Sequence, residues 1–214
     1  MVYPVFFYIC AKIEGMGLRE RIIHEGTKQF FQYGIRNVTM DDIAVSLGIS
    51  KRTVYETFRD KGELVEMCIN ELNIKEEKKV SEVISGPANV IEAIFIFMQE
   101  GIEALNSINP VFLKDLKKLY PQLWEKAHTE AKAKRLDLSA RLLMQGIDEG
   151  LFRKLLNIDI ISKLFYEQVN LAVDETIFPG DKYDHSEVFQ NMIINFTRGI
   201  STTKGIQLID GILK

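Results

Sequence analysis

Apolar residues recur in this chain at the 3.6-residue period of a helix in nearly every long segment, and almost nowhere at the period of two that a strand needs. That pattern predicts an all-α chain of about nine helices. The first runs from about Leu18 to Tyr33 and carries Ile22, Ile23, Phe30 and Phe31 on one side, with Gly34 as its stop. Thr39 and Asp42 have capping-box spacing at the head of "TMDDIAVSLGI", and Gly48 supplies the turn that follows. Ser50 caps a helix from Lys51 to about Phe58, and a long fourth helix begins near Lys61. "SGP" at Ser85 to Pro87 breaks the chain. Helices are then expected over 88–107, 110–118 and 122–149, followed by 158–176 and 186–203, with a short tail after them.

The 214 residues suffice for a small domain and a larger one. An apolar share of 46% with 27% charged residues is that of a soluble globular protein. Net charge is −3, and residues 17–70 balance eight Lys and Arg against eight Asp and Glu. This excludes a basic nucleic-acid coat and leaves room for a few placed contacts. Cys10 and Cys68 form neither a CxxC pair nor zinc spacing, so they read as reduced thiols in a cytoplasmic protein. The opening "MVYPVFFYIC" is too short to span a bilayer and lacks the flanks of a signal peptide. Residues 1–16 read as an extension with a mis-assigned start, Met16 being the natural beginning, or else as an apolar arm.

Between them, Thr39–Leu47, Gly48–Ile49 and Ser50–Phe58 have the proportions of a helix-turn-helix. Val54 and Phe58 point inward, while Lys51, Arg52, Tyr55 and Arg59 share an adjoining sector and Thr53, Glu56 and Thr57 complete the outer face. One buried side and one side of hydroxyls and cations suit a helix lying in a DNA major groove. Arg can grip guanine there, a Thr methyl can touch thymine, and helix starts at Thr39, Ser50 and Lys61 offer donors to phosphate.

From Ile22 to Leu64 the chain resembles, without a break, the DNA-binding domain of the TetR family of bacterial transcriptional regulators. The resemblance is carried by the aromatic-Gly end of the first helix, Thr39-Met40, Ile43-Ala44 and Gly48-Ile49-Ser50. Thr53-Val54-Tyr55, Phe58, Lys61 and Leu64 complete it. It implies an all-helical homodimer on a nine-helix plan, binding a palindromic operator and acting most often as a repressor. By position, Thr39, Ser50, Lys51, Thr53, Tyr55 and Lys61 match places that touch DNA, the last two usually at phosphate. Arg52 and Glu56 match places that tend to read bases. Glu56 can accept from cytosine N4, or can instead pair with Arg52 along the helix.

The expected division is a DNA-binding domain over 17–62, an effector-binding and dimerisation domain over 63–204, and a tail over 205–214. Apolar helix faces in the larger domain can enclose a pocket, with Phe95, Met98, Phe112, Tyr120, Trp124, His128, Tyr166 and Asn170 as candidate ligand residues. Phe165, Val169, Phe189, Ile193, Phe196 and Ile200 are the candidates for an isologous dimer face. No catalytic motif stands out, since the three histidines are far apart and no HExxH, GxSxG or Walker pattern occurs. The chain reads as a non-enzyme with no cofactor or metal, whose partners are duplex DNA, a small-molecule effector and a second copy. The alternative is a helix-turn-helix protein controlled by a protein partner.

Overall fold

The computed structural model describes residues 16–86, 89–107 and 109–214, without the side chains of residues 106 and 107. Ten helices make up this part of the chain, and among the described residues the only extended pairing is an isolated bridge between Phe152 and Ser201. They are α1 (Leu18–Tyr33), α2 (Met40–Leu47), α3 (Lys51–Thr57), α4 (Lys61–Ser85) and α5 (Val90–Ser107). Then come α6 (Pro110–Leu119), α7 (Pro121–Asp148), α8 (Ile158–Ala172), α9 (His185–Ile200) and α10 (Thr203–Ile212). The expected terminal tail is therefore largely helical. Thr202 accepts a hydrogen bond from the Gly205 N–H, and Ile209 is fully buried. In addition, α8 stops at Ala172, short of the expected Thr176.

Contacts divide the described chain into two compact units. One holds residues 16–78 and 107–127, the other residues 79–106 and 128–214. The first unit extends past the 17–62 segment because α6 and the start of α7 pack against its helices. The Phe112 ring stacks on Phe31 with centroids 4.4 Å apart. The Asp115 carboxylate accepts from the Arg36 N–H at 2.7 Å, and the Asn109 amide donates to the Gln32 carbonyl at 2.9 Å. The Tyr120 ring lies against Gly62, where an added Cβ would come within 3.1 Å of it. Ile22, Phe30, Ile35, Ile43, Val54, Phe58 and Leu64 form the centre of this unit and are at most 1% exposed.

Cys68 belongs to this interior. Its thiol donates to the Ile23 carbonyl, and burial pushes it up to about 12. Only the thiolate attacks alkylating agents, so iodoacetamide at pH 8 is expected to leave Cys68 unmodified in the native protein. The same thiol should react once the chain is unfolded, and peptide mass spectrometry distinguishes the two states. Modification of Cys68 under native conditions would contradict this packing.

In the second unit α5, α8, α9, α10 and the end of α7 enclose an apolar core of Ile91, Phe95, Met98, Leu143, Phe152, Phe189, Ile193, Ile200 and Ile209. The segment "GIDEGLFR", Gly146 to Arg153, is its hinge pin. Gly150 takes a φ of 69°, which reverses the chain so that the Leu151 and Phe152 N–H groups both reach the Gly146 carbonyl. Arg153 then donates its backbone N–H to Ile200, and Thr202 donates to Leu151, which ties the turn to the end of α9.

Candidate nucleic-acid interface

Capping fixes where α2 and α3 start. The Thr39 hydroxyl accepts from the Asp42 N–H at 3.1 Å while the Asp42 carboxylate accepts from the Thr39 N–H at 2.7 Å. Hydrogen bonds from Thr39 hold the Asp42 carboxyl below its ordinary range. Gly48 leaves α2 at φ 65°, in the left-handed region, and the Ser50 hydroxyl then accepts from the Thr53 N–H at 3.1 Å to open α3. Val54 and Phe58 anchor α3 at 0% and 1% exposure. With those two side chains inside, the rest of α3 has to face outward.

It does. Lys51, Arg52, Tyr55 and Glu56 are exposed, and Thr53 is half-buried beside them. The Lys51 ammonium lies 3.0 Å from Asp41, which raises its pKa and keeps it charged. Arg52 and Glu56 pair at 2.8 Å from successive turns. The Ser50 and Thr53 hydroxyls share a hydrogen bond at 2.8 Å. Exposed pairs of this kind are weak and exchange readily for a stronger anion. Lys61, at the start of α4, sits with its ammonium 5.8 Å from the Phe30 ring centre. Burial pushes the Lys61 pKa down while Asp115 and Asp42 oppose that shift.

The candidate ligand residues fall in both units. Phe112, Tyr120 and Trp124 belong to the unit that carries α1–α3, and Phe112 and Tyr120 are in its packing against α1 and α4. Burial, with the charge of Asp60 adding to it, raises the Tyr120 phenol above its ordinary value. Phe95, Met98, His128, Tyr166 and Asn170 belong to the second unit. There Phe95 and Met98 are core, and Tyr166 and Asn170 adjoin each other on one side of α8. Sequence reasoning passed over Ser162, which is buried on the same side of α8. A cleft of about 530 Å³ between α8, α9 and the segment joining them is lined by Leu171, Tyr183, Asn191 and Met192 among others, and by none of the candidate ligand residues.

The dimer candidates divide as well. Phe189, Ile193 and Ile200 are at most 6% exposed within the chain's own core. Phe165 and Phe196 are half-buried and meet with ring centroids 5.0 Å apart, and Val169 is half-buried beside them. The apolar side chains that α8 leaves open are instead Ile160, Leu164 and Leu171, each roughly half exposed. Among the described residues no helix is long and apolar enough to cross a membrane.

Known proteins match both the reading unit and the chain as a whole. Residues 22–68 match the pattern of the bacterial regulatory proteins of the tetR family. The HTH-type transcriptional repressor KstR2 of Mycolicibacterium smegmatis is 22% identical over 192 residues, covering 87% of this chain and 92% of its own. A transcriptional regulator from Cytophaga hutchinsonii superposes with a TM-score of 0.71 at 18% identity, over 86% of this chain and 98% of that one. A regulator from Saccharomonospora viridis, solved in complex with choline, superposes at 0.69 with 17% identity, over 86% and 97% of the two chains. These matches name DNA-binding regulators of transcription, not enzymes. Residues 22–68, with their capped outward-facing helix, form the DNA-binding domain of the tetR family of bacterial regulatory proteins, and the all-helical second unit shares the fold of the solved regulators.

Proposed function

We propose that the chain is an effector-controlled repressor that acts in the cytoplasm and binds a palindromic operator as a homodimer. The observation that carries this reading is the two-sided character of α3. Val54 and Phe58 are buried, and Lys51, Arg52, Tyr55 and Glu56 face solvent. In the operator complex Tyr55 and Lys61 hold phosphates, as do the hydroxyls of Thr39, Ser50 and Thr53 at the two caps. Lys51 exchanges Asp41 for the DNA backbone. Arg52 releases Glu56 to read a base, at a cost of about 0.3–0.5 kcal/mol for an exposed pair one turn apart. A bidentate contact to guanine returns about 1–3 kcal/mol, so the exchange favours the complex. Glu56, once freed, can accept from a cytosine amine.

Pairing of two copies through α8 and α9 brings two reading helices to one duplex. Ile160, Leu164 and Leu171 supply the exposed apolar stripe, with Phe165, Val169 and Phe196 at its margin. Phe189, Ile193 and Ile200 support that face from within. An effector held in the second unit by Tyr166 and Asn170 shifts the separation of the reading helices by its differential affinity, typically about 1–3 kcal/mol. Repression as the sign of control is supported by the similarity to KstR2 proteins, which are named repressors. The choline complex of one structural neighbour supports a small molecule as the effector class without naming this chain's effector.

Sedimentation and operator binding test this together. At micromolar concentration the native chain is expected to sediment as a dimer. Leu164→Asp, which sets a charge in the middle of the apolar stripe, is expected to give a folded monomer with weak operator binding. A native monomer that still protects both half-sites would contradict the proposal.

A further inference from the structure

Ser162, Tyr166 and Asn170 stand at i, i+4 and i+8 of α8 and so form one stripe along that helix. They are 4%, 4% and 8% exposed. Each carries an oxygen that closes no hydrogen bond among the described residues: Ser162 Oγ, Tyr166 Oη and Asn170 Oδ1. Other buried helical hydroxyls here do not behave this way. Thr27 and Thr197 bond back to the carbonyl one turn earlier at 2.7–2.8 Å, the ordinary solution for a hydroxyl inside a helix, and Ser201 does the same from the end of α9. Ser162 does not take that solution. Asn170 spends an amide N–H on Glu167 at 3.3 Å, which leaves its carbonyl oxygen open. Buried polar atoms left unsatisfied are costly, and three on one helical stripe point to a partner that arrives from outside the chain.

The surroundings specify what kind of partner. From α7 the Lys132 ammonium lies 5.1 Å from the centre of the Tyr166 ring and 3.8 Å from Glu167, and the Arg135 charge also acts on Tyr166. Lys132 and Arg135 thus bring cationic groups to this side of α8, beside the Glu167 carboxylate. Burial raises the Tyr166 phenol, so it remains an O–H donor, as Ser162 is. The neighbouring stripe of α8, with Ile161, Phe165 and Val169, packs on the apolar core.

We propose that Ser162, Tyr166 and Asn170 are the polar wall of the effector site and that this site takes a carboxylate carried on an apolar body. The proposal rests on the second unit being effector-responsive. The hydroxyls of Ser162 and Tyr166 donate to the carboxylate, Lys132 and Arg135 balance its charge, and the Asn170 carbonyl accepts from a donor further along the ligand. The three oxygens are sealed from solvent, so entry requires the side chains of α7 and α8 to part. The unmade bonds lower the cost of that parting.

Decanoate and decylamine are suitable probes, because the stripe spans about 12 Å at the rise of an α-helix and a ten-carbon chain matches that length. With the full chain, and below micelle-forming concentrations, decanoate is expected to raise the unfolding midpoint while decylamine does not. The double variant Ser162→Ala, Tyr166→Phe is expected to be at least as stable as the native chain without ligand, since it removes unsatisfied atoms. It should also bind decanoate at least ten-fold more weakly. Equal stabilisation by decylamine, no stabilisation by decanoate, or full decanoate affinity in the double variant would each overturn the assignment. A loss of ligand-free stability in that variant would do so too, because it would mean that the hydroxyls are already bonded. Operator binding, measured in parallel, separates the two readings. Decanoate bound through this stripe with operator affinity unchanged would sustain the site and refute effector control.

Discussion

Replacing Tyr55 and Lys61 together by alanine is expected to weaken binding to every duplex, specific or not, by roughly 100-fold or more per reading unit. The size follows from two hydrogen bonds to ionised phosphate, each charge-assisted and about 1.5–3 kcal/mol. Base preference should survive, because neither residue is placed to read a base edge. The salt dependence should change by a definite amount. Only Lys61 displaces a counterion, so the slope of log affinity against log salt should fall by about one for each reading unit, not two. Tyr55 is half exposed and Lys61 caps the Phe30 ring from outside the core, so circular dichroism should show a folded chain. A folded double variant that shifts its operator normally would remove both residues from the interface.

The largest expected effect on stability comes from Gly146→Ala. A Cβ at this position would lie 2.1 Å from the Phe152 ring, and Phe152 is 1% exposed. The ring cannot swing away cheaply, because the Leu151 and Phe152 N–H groups are both held by the Gly146 carbonyl. Overpacking of this kind costs about 1–3 kcal/mol and sometimes more. In a chain of this size, a loss of about 3 kcal/mol lowers the unfolding midpoint by roughly 6–12 °C. Calorimetry of the variant measures it, and a midpoint within a degree of the native value would mean that the Gly146–Phe152 contact is absent in solution.

How much of this was legible in the sequence depended on whether the determining interaction is local. Helices α1 to α3 and their termini follow from neighbours in the chain: Gly34 and Gly48 at positive φ, the reciprocal Thr39–Asp42 cap, and Ser50 one turn before Thr53. The outward set on α3 follows in turn from Val54 and Phe58 being the only apolar pair on it. Periodicity shows that a helix has a buried face and not what that face meets. Phe112 and Tyr120 accordingly read as pocket lining, whereas their rings pack on Phe31 and Gly62. The same ambiguity placed Phe189, Ile193 and Ile200 on a dimer face although they fill the chain's own core, and it concealed Ile160, Leu164 and Leu171. Ser162 carried no signal, because one serine in an apolar helix becomes informative only when its carbonyl bond is seen to be missing. The α10 helix was hidden by glycines at 205 and 211, which lower helix propensity, while Thr202 as its cap and the spacing of Ile206 and Ile209 pointed the other way.

The central claim is that α3 reads bases in the major groove, and parallel selection of random duplexes by the native chain and by Arg52→Ala tests it most directly. The prediction is a two-fold symmetric motif for the native chain, with preference at one base pair of each half-site relaxed in the variant and the flanking positions retained. An identical motif from both proteins, or a motif without symmetry, would contradict it.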